Sequence, residues 1–493
     1  IMNEDYNSIN RRKFVAQTAL GLTTAATISH FNVDAAFADA DSHQAMGTRT
    51  GEVTDNSAII WVRLTTASVR NNAGKLIPGR VKQGAERPAI TVPVDQLEGA
   101  CSGAPGSVRL RYGIKMDLSD AKSTDWVEVT EKTDFSHRFL VNDLNPATTY
   151  YFVSETQGLD KKGHGVFTGK FQTAPTSNVP SNLTFCVMTC QGYPDRGHPD
   201  GHAIYPSMLA LKPAFTCLTG DLVYYDNDEP YVTSPELARY HWQRMFSLPR
   251  LIDFNRQVGT YWLKDDHDTL NNDSGPESKS MGSFTFAEGQ KIFRQQAPMG
   301  DGLNYRTFRW GSDLQIWFTD GRDFRSKNKV PDGPDKTIWG SEQKAWFKRT
   351  MKESNATWKV LVTPTPLVGP DRSNKSDNHS NLKFKHEGDE IRNWLKANAP
   401  DNFFSICGDR HWQYHSVHPE SKVHEFSVGA ASDLHAGGSK GNDPAYHRFH
   451  RVKGGFLSAT LKREGLKSSI VFQHRDVDGK VVYEFGSQRD AST

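Results

Sequence analysis

LTFCVMTCQG, residues 183–192, reads as a strand that runs straight into a loop. Its strand part lacks the regular polar alternation of a sheet with one wet face. Both of its faces are therefore buried, which argues a layered α/β arrangement. Strands of the same kind follow in AFTCLTG (214–220), LQIWFTD (314–320) and WKVLVTP (358–364), with helical segments between them. One helix is expected over residues 341–354, where Phe347 and Met351 lie four apart on one face. Another is expected in HEGDEIRNWLKANAP, closed by Pro400; the acidic start of that stretch reads as a helix beginning rather than a ligand cluster. After Gly454, GFLSATLK and SSIVFQHRD…KVVYEF return to alternation and read as closing β-hairpins.

Upstream the pattern differs. From Gly47 to about Ala174, SAIIWVRLT, WVEVTE, HRFLVNDL, TYYFVSET and GKFQTAP are short alternating runs with no long helical segment between them. They predict a small antiparallel β-sandwich over residues 44–175. APTSNVPSN (174–182) reads as a linker to a second domain over residues 182–487. A chain of 493 residues exceeds one compact core, in keeping with two domains. The formal net charge of +2 gives no global case for nucleic-acid binding, and no apolar run reaches the ~18 residues of a membrane span.

Residues 1–38 have the layout of an export peptide: the pair Arg11-Arg12, a weakly apolar run, and Ala36 and Ala38 as a small-x-small cleavage signal. The paired arginines point to the twin-arginine route, with an ordinary Sec signal or an amphipathic arm as alternatives. A secreted or periplasmic protein is expected. Five cysteines form no regular disulfide framework. Cys186, Cys217 and Cys407 sit in apolar runs and read as buried thiols, and Cys101 as a free loop thiol. Cys190 differs, because it ends a strand and opens a loop.

The strand ends carry the chemistry, as expected of such folds. LTFCVMT ends at Cys190, and AFTCLTG at Asp221, followed by LVYYDND. GTYWLK ends at Asp265, Asp266 and His267; LQIWFTD ends at Asp320, with Arg322 close behind; FFSIC ends at GDRH, giving Asp409 and His411. Adjacent carboxylates repel one another unless water screens them or a cation binds them. Five strands delivering ligand-type or anion-binding residues at the same end predict a metal centre.

GD…DDHD…GDRH resembles the metallophosphatase signature GD…GNH(D/E)…GHxH. With TCQG (189–192), GDLVY (220–224) and DDHDTLNN (265–272), the chain resembles the PhoD-type alkaline phosphatases over essentially its whole length. MGTRTGEVTDNSAIIWVRLT is similar to that family's opening strand. The resemblance implies a layered β-sandwich metallophosphatase core with flanking helices, preceded by a small all-β immunoglobulin/fibronectin-like domain. It implies Fe³⁺ on Cys190, Asp221, Tyr224 and His411, a set suited to iron. It implies Ca²⁺ on Asp221, Asp266 and Asp409, with Asp221 bridging. His267 would face the substrate, helped by Arg322, while Asp265 and Asp268 orient their neighbours. Tyr225 reads as a core aromatic, and Trp412, Tyr414 and His415 as packing or pocket lining.

The chain departs from the metallophosphatases at large in having no DxH motif. It also has no histidine in VLVTPTPLVGPD, leaving Asp371, or Asn378 and His379, as substitutes. The implied activity is hydrolysis of a phosphomonoester or phosphodiester by metal-bound hydroxide. Two alternatives stand beside it: a phospholipase D-like diesterase on the same fold, with an exposed apolar rim, and a non-catalytic exported binding protein.

Overall fold

The computed structural model describes residues 42–491 apart from 81–86, 89, 162–164 and 400. The export signal expected over residues 1–38, and Pro400, lie outside the described residues.

Alternate side chains of the central strands part to opposite faces. Phe185, Val187, Phe215, Cys217, Tyr261 and Leu263 meet Ile316, Phe318, Val360, Val362, Phe404 and Ile406 in one core. Cys186, Met188, Leu218 and Trp262 join Trp242, Phe246 and Phe293 in a second core beneath helices Pro235–Phe246 and Phe286–Gln296. Trp317, Leu361 and Phe403 pack with Phe347 and Leu395 of helices Gly340–Glu353 and Lys385–Asn398. The architecture is helix, sheet, sheet, helix, and this is why these strands are apolar at nearly every position. Each fully buried Leu or Phe contributes about 1.5–3 kcal/mol of transfer free energy. Caps set two of the helix starts: Ser234 with Pro235 behind it, and a capping box between Thr285 and Glu288.

The first sheet has nine strands. In spatial order they are Val481–Asp490, Lys467–Arg475, Phe456–Glu464, Leu183–Met188, Phe215–Thr219, Gly259–Leu263, Thr48–Gly51, Ala58–Arg63 and Ser136–Val141. Leu183–Met188, Phe215–Thr219, Gly259–Leu263 and Thr48–Gly51 run parallel. The second sheet has seven strands, with a parallel centre of Leu314–Phe318, Trp358–Thr363, Phe403–Cys407 and His424–Ser427. The closing hairpins join the first sheet, Phe456–Glu464 lying antiparallel to Leu183–Met188.

The N-terminal β-rich region is continuous with this frame, because Thr48–Gly51 pairs with Gly259–Leu263, Thr50 opposite Gly259. Its remaining strands form a five-stranded sheet that includes Gly106–Gly113, Thr149–Gln157 and Gly165–Gln172. Val108, Leu110, Phe152 and Phe171 of that sheet share a core with Ile60, Val62 and Phe139 of the long one. Among the described residues no helix is long and apolar enough to cross a membrane.

Candidate metal centre

Three of the expected ligands occupy the same unusual backbone state. Cys190, Asp221 and Asp409 each follow a strand end, and each adopts a left-handed conformation, with φ of 52°, 56° and 60°. For residues with a Cβ this costs on the order of 1–3 kcal/mol each and persists only where the surroundings enforce it. Here the loops lock one another: Cys190 N–H donates to Gly220 C=O at 3.3 Å and Gln191 N–H to Asp221 C=O at 3.0 Å. Gly220, at φ 93°, lies so close beneath Asp265 that an added Cβ would stand 2.6 Å from the Asp265 Cβ. Only glycine permits the GD step to pass under the DDHD loop.

The side chains then converge. Asp221 Oδ2 is 3.4 Å from Cys190 Sγ and 3.2 Å from the Tyr224 hydroxyl, which is 3.4 Å from His411 Nε2. Ligand atoms of Cys190, Asp221 and His411 lie within 4.8 Å of one another. So do those of Asp221, Asp266 and His267, and those of Asp221, Asp265 and Asp409. Asp221 is common to all three groups. Its Oδ1 is buried without a hydrogen-bond partner, as are Asp265 Oδ2, Asp266 Oδ1 and Asp409 Oδ2.

Electrostatics point the same way. Burial, with Asp266 adding to it, pushes the Asp221 carboxyl up to about 6. Burial, with Asp266 and Asp221 nearby, pushes Asp265 up to about 8 despite Arg322. Asp266 is held below the usual carboxylate range because Arg322, His267 and Lys375 outweigh its burial. The Cys190 thiol and Tyr224 phenol are raised by burial and by Asp221. Burial, then His435 and Arg410, depresses His411 and keeps its imidazole neutral. A cation relieves all of this at once, by accepting the orphaned oxygens and displacing the thiol and phenol protons. The residues present fit a metal.

His267 is mostly buried and faces Asp226, with Nδ1 2.6 Å from its carboxylate. Asp226, Asp266 and Asp221 raise its pKa against the opposing effect of burial. Arg322 is fully buried, with Nε on Asp265 and Nη2 3.4 Å from Asp266. Asp268 is saturated by the backbone N–H groups of Leu222 and Asp265. Asp265 orients through Arg322, yet it also brings a free oxygen to the site. Asp371 is pinned by Arg410 and Asn378, and His379 bonds Glu387 at 2.9 Å, so none of the three replaces the missing histidine in the groups above. His415 bonds Tyr483 and His424, and Tyr414 bonds Glu425. All five cysteines are free and buried.

Sequence reasoning missed Asp226, His435, Asp195 and Arg80. His435 Nε2 is 3.0 Å from the Tyr224 hydroxyl and its Nδ1 is 2.8 Å from Asp195. The available signals were Asp226 inside YYDND and a lone histidine in the glycine-containing loop SDLHAGGS.

The fold is a two-sheet α/β sandwich whose rim gathers buried carboxylates, a thiol, a phenol and an imidazole, the donor set of a metal centre. The family model described as PhoD-like phosphatase matches residues 185–453, more than half of the 493, and the chain belongs to that family. Alkaline phosphatase D of Bacillus subtilis (strain 168) is 23% identical over 459 residues, covering 82% of this chain and 72% of the relative. Among solved structures, PhoD aligns with a TM-score of 0.69 at 16% identity, over 92% of this chain and 91% of its own. Purple acid phosphatase PPD1 from yellow lupin (Lupinus luteus) aligns with a TM-score of 0.60 at 11% identity, over 90% of this chain and 74% of its own. These two likenesses establish the fold. The family match, with the alkaline phosphatase D relative, makes the chain a metal-dependent phosphoric ester hydrolase of the alkaline phosphatase kind.

Proposed function

We propose that the chain hydrolyses phosphate monoesters or diesters at a two-cation centre in which Asp221 is shared. One observation carries this: Asp221 Oδ2 meets Cys190 and Tyr224, while its Oδ1 is buried unpartnered beside a second acidic group. On this reading Cys190, Asp221, Tyr224 and His411 hold Fe³⁺, because a thiolate–phenolate–imidazole set suits iron. Asp221, Asp266 and Asp409 hold Ca²⁺, which takes carboxylate oxygens in flexible geometry; the free oxygen of Asp265 is a further donor. When bound, the ions polarise the phosphoryl oxygens and supply an activated water for in-line attack.

The remaining tasks fall to side chains of the chain. Asp226 holds His267 through Nδ1, leaving Nε2 to donate to the leaving-group oxygen. Arg322 acts through Asp265 and Asp266, which it orients from below. Cys190 and Tyr224 surrender their protons on metal loading. The proposal includes export by a twin-arginine signal over residues 1–38, an N-terminal domain over 44–175 and a catalytic domain over 182–487.

The test is elemental analysis of the purified protein beside its hydrolysis of p-nitrophenyl phosphate and bis(p-nitrophenyl) phosphate, with and without chelator. Iron and calcium content, visible colour and chelator-sensitive turnover are expected. A folded, colourless, metal-free and inactive protein would overturn the proposal in favour of a binding protein. Preference for micellar phospholipid would move the substrate class to lipid diesters.

A further inference from the structure

The N-terminal region places one side chain over the ring of Tyr224, beside the candidate metal ligands. Gly79 C=O accepts Glu229 N–H at 3.2 Å, and Arg80 forms an isolated β-bridge with Asp228. Arg80 Nε donates to Asp228 Oδ1 at 2.8 Å, and Nη1 lies 3.0 Å from Asp195 Oδ2. Its guanidinium carbon stands 4.8 Å above the centroid of the Tyr224 ring. The fork is thus fixed on two edges by carboxylates, yet the side chain stays 30% exposed. Among the described residues Nη2 has no hydrogen-bond partner. It lies against Gly192, two residues beyond Cys190, in space that a Cβ there would fill. The glycine of TCQG therefore makes room for Arg80 together with His435 and Asp195.

We propose that Arg80 is a specificity-determining residue whose Nη2 donates to a non-bridging oxygen of the phosphoryl group bound at the centre. The proposal rests on the phosphoester reading above. A guanidinium presents donors in a rigid fork, so two carboxylates can aim the third nitrogen before substrate arrives, and little ordering entropy is lost on binding. Asp195 and Asp228 offset its long-range charge, so its contribution is directional and falls on affinity. A lysine ammonium cannot hold both carboxylates and an anion in that geometry. Arg80 lies outside residues 185–453, the part matched by the family model.

The test uses the metal-loaded protein and inorganic phosphate, measured as a competitive inhibitor of p-nitrophenyl phosphate hydrolysis and by calorimetry without ester. Arg80→Ala should weaken phosphate and raise KM by roughly tenfold to a hundredfold, the range of a hydrogen bond to a charged group. kcat should change less, and metal content should stay at the wild-type level. Arg80→Lys should recover little. Arg80→Gln, which keeps most of the side chain's length and deletes the charge, should move phosphate affinity in the same direction and decides the matter if Arg80→Ala does not fold. Unchanged phosphate affinity in a folded Arg80→Ala overturns the proposal, as does loss of metal in step with phosphate. A wild type that neither binds phosphate nor hydrolyses ester overturns the site reading itself, an outcome distinct from either.

Discussion

The chain treats the carboxylates buried in its scaffold and those buried at the site's rim in opposite ways. Glu425, inside the seven-stranded sheet, accepts from the backbone N–H groups of Leu367, Val368 and Gly369 at 2.6–3.1 Å and from the Tyr414 hydroxyl at 2.9 Å. Glu387 likewise accepts from Ile338 N–H and the Thr337 hydroxyl and pairs with His379. At the rim, Asp221, Asp265, Asp266 and Asp409 each keep one buried oxygen without a hydrogen bond, and of these Asp266 Oδ1 and Asp409 Oδ2 meet only the guanidinium groups of Arg322 and Arg410. A buried charge whose lone pairs are filled by protein donors is part of the scaffold. One whose lone pairs are left open is stable only with a cation, since an unpaired buried charge is costly.

The sharpest way to break that contrast is Asp221→Asn. The change keeps the shape and removes the charge common to all three ligand groups. Metal content should collapse and hydrolysis should fall to the assay background. At pH 8 the chelated variant should melt higher than the chelated wild type, because a carboxyl raised to about 6 is then an ionised, uncompensated group. A variant that keeps its metals, or that melts lower after chelation, puts Asp221 in the scaffold class. Next in size is His267→Ala, expected to lose about 10²–10⁴-fold in kcat with both metals retained. Loss of metal from that variant would make the imidazole a ligand.

Much of this contrast was legible beforehand because both strand faces are buried and the strand ends share a rim. Uninterrupted apolar runs announced the layers, and the polar residue closing each run announced the site. Composition cannot tell Asp265 from Asp268, three residues apart in DDHD. The difference lies in which backbone N–H groups reach each carboxylate, and those come from Leu222 and Asp265, set by the approach of two loops. Arg322 was expected to help His267 at the substrate; its burial beneath Asp265 and Asp266 follows from packing no local pattern encodes. Asp195, His435 and Arg80 sit in loops without periodicity, so only the fold brings them to Tyr224.

Glu425→Gln tests the other side of the comparison. The amide sets an NH₂ group against donors that now face a carboxylate, so the protein should lose about 2–3 kcal/mol of stability. Its metal content and kcat should match the wild type, as read by denaturant unfolding beside elemental analysis. If metal falls together with stability, the two classes of buried carboxylate are coupled and the contrast fails.

The smallest effect extends the contrast to buried bases. His415 Nε2 lies 2.9 Å from His424 Nδ1, and His474 Nε2 lies 2.9 Å from Ser427 C=O while its Nδ1 is buried without a hydrogen bond, so each imidazole is tied to a neighbour through at least one nitrogen. Burial depresses His474 and His424 to about 4, with Arg451 and Arg448 respectively adding to it. Burial, then His424 and His474, depresses His415 to about 2. Folded values below the unfolded 6.5 mean that the native state holds these groups neutral. Their stabilising effect is then complete above pH 6.5 and is lost as the pH falls toward 4. For these three groups this gives a contribution that is flat on the alkaline side and declines by roughly 0.7 kcal/mol per histidine between pH 7 and pH 6. His474→Gln keeps an N–H for the Ser427 carbonyl and cannot titrate, so its decline over that interval should be shallower by one histidine's share. Unfolding free energies at pH 8, 7, 6 and 5 for the two proteins decide this. An unchanged slope in the variant would mean that His474 is already charged in the fold and that one hydrogen bond to a backbone carbonyl does not by itself mark a neutral scaffold base.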